Sequence, residues 1–241
     1  MTANETVNLI QYLFSEWNKG KVCYVVVRGW TGSDLVGSDI DILLDNESWT
    51  MAVFLAENLG FQKVTRSWKL LDFGATECYL DKELTGRLVR LHLSNRLVFG
   101  KPMRKIRLPY EKAVLRKATF DTQSICFKND PSWQQVIDLY RLTIDKPEKI
   151  TTKLMSTWKF DSSYLQPELI SCINNLLPSV YKFLSGSLLA TQLEVAAIRS
   201  LMPLVGSQYL LRQIQTMISQ LLIMMSRIFH KAQRTLSFNN K

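Results

Sequence analysis

Several absences bound the reading of this 241-residue chain. No uninterrupted apolar run reaches the ~18–20 residues that a membrane-spanning helix needs, which excludes such a span. The start, Met1-Thr2-Ala3-Asn4-Glu5-Thr6, has neither a basic n-region nor an apolar h-region, so no secretory signal is expected. The four cysteines (Cys23, Cys78, Cys126, Cys172) form no CxxC and have no close histidine partner. That argues against structural zinc and for reduced thiols in a cytoplasmic protein. Ten glycines and seven prolines are too few for a collagen-like or low-complexity chain, and no internal repeat is present.

What is present is ordinary for a folded chain: 46% hydrophobic and 21% charged residues. The length fits one full domain plus a smaller one, or one large domain. The formal net charge of +9 attracts polyanions such as nucleotides, nucleic acid or acidic lipid headgroups, and it also serves solubility.

Apolar periodicity predicts a helix over 5–18, from Val7, Ile10, Leu13, Phe14 and Trp17. A buried strand is expected at 23–27, then a loop with Gly29, Gly32 and Gly37, then a strand at 39–44. A helix over 47–59 stops at Gly60. Residues 61–99 read mostly as strand, with a hairpin of Thr76–Leu80 and Arg87–Leu93 around a loop at 81–86. After Pro109 the pattern turns helical, at 110–117 and at 131–145, where Pro131 suits the first helical position. Beyond 150 no strand is expected, and helices are broken at Pro167, Pro178 and Pro203. The last, 207–233, carries a broad apolar face. It suits a bundle core or, with Arg227, His230, Lys231 and Arg234 at its end, a partner or membrane surface. The outline is an α/β part over 1–108 and a helical part over 109–241.

One segment carries chemistry: Arg28-Gly29-Trp30-Thr31-Gly32-Ser33-Asp34-Leu35-Val36-Gly37-Ser38-Asp39-Ile40-Asp41. Strand alternation puts Asp39 and Asp41 on one face, ~6–7 Å apart along the chain, with Ile40 and Ile42 on the other. Two such carboxylates repel unless a cation lies between them. Mg²⁺ takes one or two carboxylates plus substrate phosphates and water. The glycine loop before them offers backbone N–H groups to phosphate oxygens. Gly32-x₄-Gly37-Ser38 is not a Walker-type phosphate loop, because the lysine is missing and a strand follows instead of a helix. Arg28, Arg90 and Arg96 suit phosphate pairing or surface ion pairs. Trp30 suits either stacking on a base or capping the core.

Strand, Gly29, loop and Ser38-Asp39-Ile40-Asp41 together resemble the nucleotidyltransferase superfamily, the polymerase-β-like fold. Gly37–Leu43, Gly60-Phe61, Leu84–Lys101 and Leu108–Glu111 look like a bacterial group within it. That group is often encoded in surface-polysaccharide loci and sometimes fused to a thymidylate-kinase-like domain. The resemblance covers about 20–150 and implies an α+β fold: a nucleotidyltransferase-like mixed sheet with flanking helices, then an α-helical C-terminal domain. It implies Mg²⁺ (or Mn²⁺) held by Asp39 and Asp41, and an NTP, ATP foremost, bound by Arg28, Gly29, Trp30, Gly32, Ser33, Gly37, Ser38 and Arg90. Trp30 stands where the superfamily has a triphosphate-holding serine, a role left to Ser33 or Ser38. The third acidic position of the family is matched by Arg90-Leu91-His92-Leu93-Ser94. That leaves His92 as base or ligand, with Asp72, Glu77 and Asp81 as alternatives. The implied reaction is transfer of a nucleoside monophosphate to an acceptor hydroxyl, on RNA or protein among others. The rivals are a non-catalytic binding or regulatory module, for a kinase-like partner or a surface-polysaccharide enzyme complex, and a toxin or defence enzyme acting on tRNA or protein.

Overall fold

The first helix, α1 (Ala3–Lys19), buries Ile10, Leu13, Phe14 and Trp17, the residues that its 3.6-residue periodicity puts on one face. This computed structural model describes residues 3–35, 39–64, 77–84, 86–100, 106–158 and 165–205. The predicted helix at 207–233, Gly37, Ser38, Asp72 and Thr76 lie outside the described residues. After α1 come β1 (Tyr24–Arg28), β2 (Asp39–Leu44), α2 (Trp49–Asn58), β3 (Gln62–Val64), β4 (Glu77–Leu84) and β5 (Arg87–Ser94). A short pair follows, β6 (Leu97–Phe99) and β7 (Ile106–Leu108), then α3 (Glu111–Lys117), β8 (Thr119–Asp121) and β9 (Cys126–Lys128). The remainder is helical: α4 (Pro131–Asp145), α5 (Thr152–Thr157), α6 (Pro167–Leu184) and α7 (Ala190–Val205). The architecture is α+β, a mixed sheet with flanking helices followed by C-terminal helices.

The seven-stranded sheet runs β3-β4-β5-β2-β1-β9-β8. β2 lies antiparallel to β1 and parallel to β5, and β5 lies antiparallel to β4. Ile40, Ile42 and Leu44 point to one face, where they pack with Ile10, Leu13 and Phe14 of α1 and Ala52 and Ala56 of α2. The buried Trp17 indole donates to the Ala52 carbonyl at 3.1 Å and docks the two helices. The other face carries Val25 and Leu43, which join a second core with residues of α4, α6 and α7. Full burial of each large apolar side chain contributes ~1.5–3 kcal/mol. Leu43 shares its face with Asp39 and Asp41, so the acids stand on the side of the sheet that the C-terminal helices pack against.

Three expectations need correction. β8 and β9 fall in the part read as helical, and β9 pairs in parallel with β1, so the sheet draws on the chain as far as 128. The hairpin strands pair as far as Leu84↔Arg87, so Asp81–Leu84 are strand and not loop. Pro167 opens α6, but Pro178 and Pro203 lie inside α6 and α7 without ending them. Each removes one backbone donor, while the buried faces hold both helices together.

The 131–145 helix matches its expected bounds. The Asp130 carboxylate caps it, accepting from the N–H groups of Ser132 (2.9 Å) and Trp133 (3.4 Å), with Pro131 at the first position. Asp130→Ala is expected to lower stability by ~1 kcal/mol, measured as the shift in urea unfolding midpoint.

Candidate active site

Asp39 and Asp41 project from the first turn of the β2 pleat onto one face, and two neighbouring cross-strand rows complete it. In one row, Arg28, Asp41, His92 and Tyr79 stand side by side across β1, β2, β5 and β4. In the next, Asp39, Arg90 and Asp81 do so across β2, β5 and β4. Three carboxylates therefore meet two guanidiniums and one imidazole.

Asp41 is the hub. Arg28 Nε donates to its Oδ2, and His92 Nδ1 lies 2.9 Å from its Oδ1. Burial alone raises the pKa of this carboxyl. The hydrogen bond from His92, then the electrostatic pull of His92 and Arg28, outweigh it and hold Asp41 below the usual carboxylate range. A carboxylate only accepts, so Nδ1 carries the hydrogen and Nε2 faces away from Asp41. Nε2 is buried with no hydrogen-bond partner, and so is Oδ1 of Asp39. The Tyr79 ring stacks on the imidazole at 4.4 Å and 3° and fixes its plane.

Arg90 is held by a bidentate pair with Asp81, at 2.7 and 2.6 Å, which raises its pKa; the Asp39 charge adds to this. Asp81, one alternative for the third acid, is thereby occupied. Beyond Arg28 stands Asp145 at the end of α4. Its carboxyl is raised by burial, while the Gly100 N–H at 2.8 Å and the charges of Arg141 and Arg28 oppose the rise. The end of α4 thus borders the acid face.

The loop departs from expectation. Trp30 is 5% exposed, tilted against Phe14, and its Nε1–H donates to the Ser124 carbonyl at 3.3 Å. It caps the core and cannot stack on a base. Gly32 sits tight against the turn before β9, where a Cβ would meet that of Ser124 at 2.7 Å. Its role is close packing. The N–H groups of Thr31, Asp34 and Leu35 are spent inside the loop, on the Asp34 carbonyl, Thr31 Oγ1 and Asp34 Oδ1, rather than offered to phosphate. Ser33 is exposed there. Gly29 serves the acids instead: its backbone passes so close to β2 that a Cβ would lie 2.0 Å from the Asp39 carbonyl oxygen.

Sequence reading nominated Arg28, Gly29, Asp39, Asp41, Arg90 and His92, which the fold brings to one place. It missed Tyr79, whose signal was its two-residue offset from Asp81 on one strand. Among the described residues, no cluster of three His, Cys, Asp or Glu is arranged to hold a metal, and no helix is long and apolar enough to cross a membrane. Of the acid pair, Asp39 has a buried oxygen with no hydrogen-bond partner, the kind of donor a divalent cation takes, while both Asp41 oxygens are engaged by Arg28 and His92.

Since the folded state lowers the Asp41 pKa from 3.8, its stabilisation is full above that value and is lost as pH falls through the lower, folded one. Wild type is therefore expected to lose stability more steeply than Asp41→Asn as pH falls below about 4, and to show no such difference between neutral pH and there, followed by urea midpoints.

No family model matches the chain, and no curated protein matches it. Among solved structures it is similar to the antibiotic-resistance factor ANT(2'')-Ia, described in solution as having substrate-regulated conformation dynamics. The TM-score is 0.43 and the identity 14%, over 77% of this chain and 97% of that one.

Proposed function

We propose that the protein transfers a nucleoside monophosphate from an NTP to an acceptor hydroxyl. One observation carries the reading: Asp39 and Asp41 share a face, with an unpartnered oxygen on the first and a half-buried histidine oriented by the second. In this reading Asp39 and Asp41 would hold Mg²⁺, which would supply charge neutralisation on the phosphates. Arg28, 40% exposed at its side chain, has room to leave Asp41 for a phosphate oxygen. Asp41 keeps the His92 imidazole in the tautomer with hydrogen on Nδ1, and Tyr79 keeps its plane. The acceptor O–H gives its proton to His92 Nε2 as its oxygen bonds to the α-phosphorus. The bond from that phosphorus to the bridging oxygen breaks, and pyrophosphate leaves with the electron pair. Arg90, clamped by Asp81, presents its remaining N–H groups beside Asp39.

Calorimetric titration with each of the four NTPs, with and without Mg²⁺, tests the reading. Mg²⁺-dependent binding that Asp39→Asn weakens supports it. A silent titration with all four favours the non-catalytic module, which the missing third acid on β5 also suits.

A further inference from the structure

Around the far end of β2, about 17 Å along the strand from Asp39, the chain collects positive charge that the acid face does not use. A cavity of about 520 Å³ is lined there by Arg96, Arg107, Lys112 and Arg116, with Asn46 and Tyr110 at its margin. Arg96 follows β5, Arg107 sits on β7, and Lys112 and Arg116 lie on α3. One carboxylate lines the cavity, Glu111, and it is already spent. It is 5% exposed, takes a bidentate pair from Arg107 at 2.7 and 2.8 Å, and accepts the Leu97 N–H at 3.2 Å.

The other three cations have no acidic partner among the described residues. Lys112 and Arg116 are four apart on one helix face, a spacing at which like charges repel. Arg96 donates from one terminal nitrogen to the Asn95 carbonyl at 3.1 Å, but its Nε is buried with no acceptor. A buried unpaired donor and a like-charge pair facing one cavity are unfavourable in isolation, and an anion in the cavity satisfies both. Guanidinium groups present a planar fork of N–H donors that matches the oxygens of a phosphate.

We propose that this cavity is a phosphate-binding site, distinct from the acid face of β2, that takes a phosphate group as the free ion or as a phosphomonoester. It goes beyond the transfer reaction and does not depend on it. Lys112 and Arg116 are exposed, so Lys112→Gln/Arg116→Gln leaves the core and the Arg107–Glu111 pair untouched. Calorimetry with inorganic phosphate and, separately, glycerol phosphate, at fixed chloride, reads the site. The double variant is expected to bind the preferred probe at least roughly tenfold more weakly than wild type. Preference for the ester assigns an organic phosphate, and equal binding assigns the free ion. Absence of binding by both probes, or equal affinity in the double variant, overturns the proposal. Loss of phosphate binding in Asp39→Asn also overturns it, because the anion would then sit at the acid face.

Discussion

His92→Asn is expected to slow nucleotidyl transfer about 10²–10⁴-fold while NTP affinity changes by less than about twofold. The asymmetry comes from the two ring nitrogens. Nδ1 donates to Asp41 at 2.9 Å, and the amide of Asn carries an N–H at nearly the same place, so the hub on β2 stays paired. Nε2 has no equivalent in Asn, and the proton of the acceptor hydroxyl then has no base. The readout is label passed from α-labelled NTP to a pool of hydroxyl compounds in the presence of Mg²⁺, with KM and kcat separated. An equal fall in affinity and rate would assign His92 to binding. An unchanged rate would remove it from the reaction.

Gly29→Ala is expected to cost about 3 kcal/mol or more, toward the severe end for one methyl group. Gly29 has φ +89°, and an added Cβ would stand 2.0 Å from the Asp39 oxygen and 2.9 Å from the Ile40 Cα. Both are backbone atoms, so no side chain can swing aside, and β1 must part from β2. Gly86 is the control. It has a similar φ of +78°, but a Cβ there meets nothing within 4 Å, so Gly86→Ala pays only the backbone term of ~1–2 kcal/mol. Urea unfolding of both variants separates clash from strain, and equal losses would refute the clash. Displacement of Asp39 in Gly29→Ala also predicts weaker Mg²⁺-dependent NTP binding.

Much of the frame was legible because it rests on local rules. The alternation of Asp39–Leu44 and the Asp130-Pro131 start of α4 set their own bounds. What escaped depends on pairing across the chain. Thr119–Asp121 and Cys126–Lys128 are three residues each, too short for a period-two signal, and become strands because β1 offers an edge. Trp30 read equally well as base-stacker or core until Phe14 and the Ser124 carbonyl were beside it. At the site, the residue types and the strand of the acids were readable. That Asp41 sits opposite both Arg28 and His92, and that Arg90 takes Asp81, follows from register, which a single strand does not encode.

Asp39 and Asp41 are proposed as a cation and triphosphate site whose oriented partner is His92. Diffraction from crystals soaked with Mn²⁺ and a non-hydrolysable NTP tests it most directly. An anomalous peak is expected within about 2–2.5 Å of Asp39 Oδ1, with Arg28 moved off Asp41 and His92 Nδ1 still on it. A triphosphate bound elsewhere, or no peak at Asp39 while Arg28 stays on Asp41, would contradict it.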